Sequence, residues 1–213
     1  MRLAPLLVAV FALLTAGCGG GDTESATTPT PTPKPKPGPV PTSFVVGAVE
    51  DAAKAGEADA KMELARRAGF SAIVLSAVWM PPLEAPPRTE LASLRAAVAA
   101  AARAGIRPIV AVYSFSAATP TSPAARAQFA AYAASIPRTL PEVRDVIVGN
   151  EPNLNLFWLP QFGADGSDVA AESYLALLAT SYDAIKKVSE GVSVIGCALS
   201  ARGSARADCS RTP

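Results

Sequence analysis

Five short apolar runs separated by helical patterns constrain this 213-residue chain more than any other feature. The runs cover residues 44–49, 71–79, 107–114, 143–149 and 192–199. Each is rich in Val, Ile or aromatic residues and nearly continuous in hydrophobicity, as parallel strands covered on both faces are. Residues 57–68, 90–104, 123–136 and 171–188 lie between them with helical spacing, and in the last Leu175, Leu178, Tyr182 and Ile185 follow at steps of three, four and three. Gly69, Gly105 and Gly191 stand just past three of these segments, where a left-handed cap is wanted. Strand and helix alternating at a repeat of about 34 residues is the βα unit. A doubly wound sheet and a (β/α)8 barrel both fit that rhythm. Gly47-Ala48-Val49-Glu50, following the first run, lacks the G-x-G-x-x-G phosphate loop, and the barrel gains weight. A full barrel takes about 250 residues, whereas residues 201–213 are polar and carry no helical stripe. The expected fold is therefore α/β, of (β/α)8 TIM-barrel type, truncated after about five βα units.

The first 43 residues stand outside this rhythm. Met1 and Arg2 precede an apolar run from Leu3 to Leu14, then Thr15-Ala16-Gly17-Cys18. Such a run is too short for a lasting membrane span and reads as a secretory signal. Residues 14–18 resemble a bacterial lipobox, which implies cleavage and acylation at Cys18, although Thr15 stands where an aliphatic residue is preferred; an ordinary cleaved signal of a secreted protein, with Cys18 incidental, is the alternative. Residues 19–43 have no apolar period, and seven prolines alternate from Pro29 to Pro41. Polyproline II geometry would stretch residues 29–43 over about 45 Å, a stalk holding a domain off a membrane or wall. The domain plan is a signal with a lipid-anchoring Cys18 over 1–18, a linker over 19–43, and a partial barrel over 44–213.

Charge and composition narrow the chemistry. Lys and Arg number 19 against 18 Asp and Glu, so no basic footprint for nucleic acid exists. Histidine is absent, which excludes imidazole as base or metal ligand. Carboxylate chemistry, lysine chemistry and binding remain, and no metal or cofactor is expected.

In a barrel the active site lies at the carboxyl ends of the strands. The residues there are Glu50 and Asp51, Trp79, Tyr113 and Phe115, and Asn150-Glu151-Pro152-Asn153. Glu151 is followed by a connection reaching Asp168, long for a βα loop, and such loops are disproportionately functional. It carries Phe157, Trp158 and Phe162 beside Asn155 and Gln161, flat apolar faces for sugar rings with amides for their hydroxyls. Packing of the loop onto the barrel rim is the competing role for these rings.

Val148-Gly149-Asn150-Glu151-Pro152 resembles the fourth-strand motif of glycoside hydrolase clan A, the retaining (β/α)8 enzymes that include cellulase-like family 5. The longer run from Gly149 to Trp158 is similar to that of secreted actinobacterial cellulase-like glycosyl hydrolases, and Gly69-Phe70 through Ile73-Val74-Leu75 to Trp79 resembles their second strand. The resemblance spans residues 44 to about 203. It implies retaining hydrolysis of β-linked oligo- or polysaccharide, with Glu151 as general acid/base and Asn150 bonded to the sugar 2-hydroxyl. Trp79, Tyr113, Asn153, Phe157 and Trp158 are the candidate substrate contacts. Cleavage with retention needs an acid that protonates the leaving oxygen and a carboxylate nucleophile about 5 to 5.5 Å away. Two departures follow. Val74-Leu75 stand where the family has an arginine, and its nucleophile belongs to a seventh strand beyond Pro213, so no residue of this chain inherits that role, Glu50 and Glu84 included. A carbohydrate-binding surface lipoprotein without turnover, or an inactive remnant, is the alternative. Export permits a disulfide between Cys197 and Cys209, while Cys197, inside the fifth run, also reads as a small buried hydrophobe.

Overall fold

The computed structural model describes residues 44–202. Cys18, the signal, the linker and Cys209 lie outside the described residues. Five strands, β1 (Gly47–Val49), β2 (Ala72–Val78), β3 (Arg107–Tyr113), β4 (Asp145–Val148) and β5 (Ser193–Ile195), alternate with four helices, α1 (Ala58–Arg67), α2 (Arg88–Arg103), α3 (Pro123–Thr139) and α4 (Ala170–Val188). All strand pairs are parallel, in the order β1-β2-β3-β4-β5. A doubly wound sheet reverses its order at a switch point. This one never does, and right-handed crossovers that always step the same way put every helix on one face. The architecture is that of consecutive βα units of a (β/α)8 barrel.

Burial follows strand alternation. Ile73, Leu75 and Ala77 of β2, Val110 and Val112 of β3, and Val146 and Val148 of β4 face the helices and are no more than 1% exposed. They pack on Met62, Leu94, Val98, Phe129, Ile136, Leu177 and Ile185. The opposite, concave face carries Val74, Ile109 and Ile147, half-buried, and at the two edges Val49 and Ile195, 69% and 36% exposed. The expectation of strands covered on both faces therefore holds for one face only.

Element positions agree closely with the sequence reading in the middle of the chain and less at its edges. The outer runs shrink to three residues each, because β1 and β5 have a neighbour on one side only. Two 3-10 helices, Asp51–Ala55 and Ser116–Ala118, were not foreseen. Ser122 caps α3 by accepting the Ala125 N–H at 3.1 Å, with Pro123 in the first turn, where its missing N–H costs nothing. Gly69 and Gly105 adopt the left-handed conformation expected after α1 and α2, but Gly191 does not, and α4 ends at Ser189 in an extended conformation. The apolar stripe of α4 is also displaced by one position. Its buried face is Ala170, Tyr174, Leu177, Ser181 and Ile185, while Leu175 and Tyr182 are exposed.

One polar pair marks the amino ends of the strands. Arg107, opening β3, makes a two-pronged ion pair with Asp145, opening β4. Asp145 is 2% exposed and the Arg107 side chain 49%. The asymmetry sets a prediction. Arg107→Ala strands a desolvated carboxylate and is expected to cost about 2 kcal/mol, whereas Asp145→Asn leaves a guanidinium that water can reach and is expected to cost less. Urea midpoints of the two variants decide it, and equal losses would contradict the argument.

Candidate active site at the carboxyl ends of the strands

Backbone and side-chain bonds tie the loops after β2 to β5 into one rim. Trp79 N–H donates to Tyr113 O at 2.7 Å and Gly149 N–H to Val112 O at 2.8 Å. The 3-10 turn after β3 is held to the loop after β4 by Ser116 N–H on Leu156 O at 3.0 Å and Leu159 N–H on Thr119 Oγ1 at 3.1 Å. Glu151 N–H donates to Ala198 O at 2.8 Å, and Asn153 brackets the segment after β5 by donating to Ser200 O at 2.9 Å and accepting from Ser200 N–H at 2.9 Å.

Glu151 lies at the rim, half-buried, with a left-handed backbone (φ +41°). A non-glycine residue in that conformation costs about 1–2 kcal/mol. Glu57, just ahead of α1, and Cys197, just after β5, share it, so two of the three such residues among those described lie where β4 and β5 end. Glu151 is held there by its N–H on Ala198 and its carbonyl under Leu154 N–H at 2.8 Å. Gln161, 3% exposed, closes the turn by donating to Pro152 O at 2.9 Å and Trp158 O at 2.8 Å. That use of Gln161 as a backbone staple corrects its reading as an amide for sugar hydroxyls.

Tyr174 of α4, absent from the sequence reading, reaches under this turn. Its hydroxyl donates to Val148 O at 2.7 Å and accepts Cys197 N–H at 2.8 Å. Burial pushes its phenol up to about 12, with the Cys197 N–H bond opposing, so the group is a neutral hydroxyl across the working range. Gly149 (φ +82°) lies against the ring, and a Cβ there would sit 2.9 Å from Tyr174 Cε2. No sequence pattern signals Tyr174, which lies one position off the stripe the heptad spacing picks out.

A narrow cleft beside the turn is lined by Tyr113, Ser114, Asn150, Phe157 and Trp158 over a floor of Phe129, Gly149 and Leu177. It holds about one water molecule, not a sugar ring. Tyr113 and Trp158, both candidate substrate contacts, thus share one concavity, and Asn150 and not Glu151 forms its wall. Trp158 Nε1 is buried and has no hydrogen-bond partner among the described residues, with the ring edge-on to Tyr174 at 5.6 Å.

The proposed contacts divide by burial. Trp79 is 1% exposed, donates its indole N–H to Leu83 O at 2.7 Å and packs edge-on against Phe129, so it is a core residue and offers no face to a ligand. Trp158, 3% exposed, packs under the loop, and Asn153, 2% exposed, is committed to the segment after β5; these positions correct their reading as substrate contacts. Packing wins because a βα loop this long must bury apolar surface of its own to hold one shape. Tyr113 and Phe157 remain half-buried and form a three-ring cluster with Phe115, which stacks on Phe157 at 5.7 Å and is 46% exposed. The residues after β1 are engaged in structure. Glu50 accepts Ala52 N–H at 2.9 Å, Asp51 accepts Ser76 N–H at 2.7 Å, and Lys54 donates to Ser76 O at 2.7 Å and to Glu90 at 3.1 Å, completing the β2 edge where β1 stops. Cys197 is exposed beyond β5, which corrects its reading as a buried strand residue. No group of three or more metal-ligating side chains occurs among the described residues.

No family model matches the chain, and no curated protein matches it. Solved structures do. A broad-specificity GH5-4 endoglucanase of Clostridium longisporum superimposes with TM-score 0.53 at 12% identity, covering 67% of this chain and 44% of its own. An endo-beta-mannanase/endo-beta-glucanase of Prevotella bryantii gives 0.52 at 17%, over 68% and 23%. The beta-glycosidase BGL167 gives 0.51 at 18%, over 64% and 43%. The chain shares with them the fold of consecutive βα units. The chain spans less than half the length of each of these neighbours, and at such identities the likeness concerns the fold alone.

Proposed function

We propose that this chain contributes the acid/base half of a retaining glycoside hydrolase acting on β-linked oligo- or polysaccharide. One observation carries the reading: Asn150-Glu151 ends the fourth strand of a singly wound parallel sheet, held by backbone bonds in a conformation that a glutamate occupies only at a cost. Glu151 is the general acid/base, giving its proton to the leaving oxygen and later taking one from water. Asn150, on the wall of the adjoining cleft, takes the sugar 2-hydroxyl. Retention also needs a second carboxylate as nucleophile, and in this reading a further barrel strand supplies it. Turnover of aryl β-glycosides by the sheet joined to further βα units is the test, and an unchanged rate in Glu151→Gln would end the reading.

A second reading, a sugar-binding protein without turnover, draws on Phe115, whose exposed ring stacked on Phe157 offers a platform on the rim. Both readings include export with acylation at Cys18. Cys18→Ser is then expected to move the protein from the membrane to the soluble fraction, because stable anchoring takes more than one acyl chain, which lipoprotein processing supplies. Unchanged fractionation would refute the anchor.

A further inference from the structure

We propose that Tyr174 is a positioning residue for Glu151, acting as a hydroxyl rung inserted between β4 and β5. The inference rests on the reading of Glu151 as acid/base, and its geometry is independent of that reading. Direct pairing of the two strands ends at Ile147 and Ile195. One residue further along β4, the Val148 carbonyl meets no backbone N–H of β5. It receives the Tyr174 hydroxyl at 2.7 Å, and the same oxygen accepts Cys197 N–H at 2.8 Å. Pairing then closes again directly, Glu151 N–H on Ala198 O at 2.8 Å.

An oxygen inserted between a donor and an acceptor holds the two strands apart at that rung, and the chain must bend to bring Glu151 and Ala198 back together. Both bends are visible as left-handed residues on either side of the gap, Cys197 at φ +56° and Glu151 at φ +41°. The effect resembles a bulge, which re-aims the side chains beyond it. Gly149, between the rung and Glu151, has no Cβ because the Tyr174 ring occupies that space. The direction of the Glu151 carboxyl is thus set from α4, through one side chain.

Tyr174→Phe keeps the ring against Gly149 and Trp158 and removes both hydrogen bonds. Tyr132→Phe is the control: Tyr132 is also buried, and its hydroxyl bonds a strand-end carbonyl, Val78 O at 3.4 Å, on a different strand from Glu151. In the full chain, hydrogen exchange of the Glu151 amide is expected to quicken at least tenfold in Tyr174→Phe, about 1.4 kcal/mol of local opening. The 13C chemical shift of the Glu151 carboxyl at fixed pH is expected to move from its wild-type position. Neither changes in Tyr132→Phe. A folded Tyr174→Phe chain with wild-type Glu151 exchange and carboxyl shift overturns the positioning role and leaves the acid/base reading untouched. Should Tyr174→Phe not fold, the wild-type chain still decides. The Cys197 and Glu151 amides are expected to exchange at rates within threefold of each other, as rungs of one unit, and free exchange at Cys197 beside a protected Glu151 overturns the proposal. The acid/base reading fails separately, on turnover by Glu151→Gln.

Discussion

Glu151→Gln is expected to lower aryl β-glycoside turnover by about 10²- to 10⁴-fold in a barrel completed by its remaining βα units, about 3–5 kcal/mol of transition-state stabilisation. Glutamine keeps the size and hydrogen-bonding reach of glutamate but has no proton to give. The loss in kcat/KM, which reports the first step, should depend on the leaving group. A nitrophenol departs without much help, whereas an alkyl glycoside needs the proton. With good leaving groups kcat should still fall, and equally for all of them, because the base for the second step is gone. A loss of kcat/KM uniform across leaving groups would point to damaged folding or binding and not to acid catalysis. Residues 1–213 alone are expected to show no turnover, because retention divides the work between two carboxylates. The other strand-end carboxylates are occupied, Glu50 with the Ala52 N–H and Asp51 with the Ser76 N–H, and Glu84 is exposed on the loop after β2. Among the described residues β1 and β5 are each unpaired on one side, with Val49 and Ile195 exposed on the concave face. Self-association of the isolated chain, relieved together with inactivity when the barrel is completed, is the companion result. Turnover by the 213 residues that Glu151→Gln abolishes would show that the nucleophile lies within them.

The sequence is most readable where backbone pattern and burial coincide. The three central strands and all four helices fall within a few residues of their expected places, because runs such as Ile73-Val74-Leu75 are hydrophobic on both faces and long enough to exclude other structures. The place of Asn150 and Glu151 just beyond β4 was legible for a different reason: strand ends are fixed by the barrel, so a polar residue there has a known address. Roles of the aromatics were not legible. A tryptophan reads the same whether it stacks on a ligand or fills a core, and only the fold shows that Trp79 and Trp158 are 1% and 3% exposed while Phe115 stays open. Tyr174 was hidden for a related reason. The α4 sequence carries two stripes one residue apart, and hydrophobicity favours Leu175 and Tyr182. The structure buries Tyr174, because a buried hydroxyl with partners on Val148 and Cys197 has no desolvation penalty left to resist it, while the Ser181 hydroxyl beside it is buried with no hydrogen-bond partner among the described residues.

Gly149→Val is expected to be the most damaging single substitution at the rim, costing about 3–4 kcal/mol of stability. Two terms contribute. The first is the backbone: φ at +82° suits glycine, and a β-branched residue there is an outlier. The second is contact, since a Cβ would lie 2.9 Å from Tyr174 Cε2, and the ring cannot retreat without giving up its bonds to Val148 and Cys197. Gly69 separates the terms, because its φ is +90° and nothing lies within 4 Å of the position of its Cβ. Gly69→Ala therefore reports the backbone term alone, about 1 kcal/mol. Gly149→Ala should exceed it by the cost of moving the ring, about 1–2 kcal/mol more, and Gly149→Val should exceed both. With a urea slope of about 1–3 kcal/mol per molar, the Val variant shifts the midpoint by more than about 1 M. Equal losses for Gly69→Ala and Gly149→Ala would mean that the ring yields freely. A Tyr174 that yields freely could not hold the turn carrying Glu151, so this comparison also bears on the positioning role from the side of packing, with no reference to catalysis.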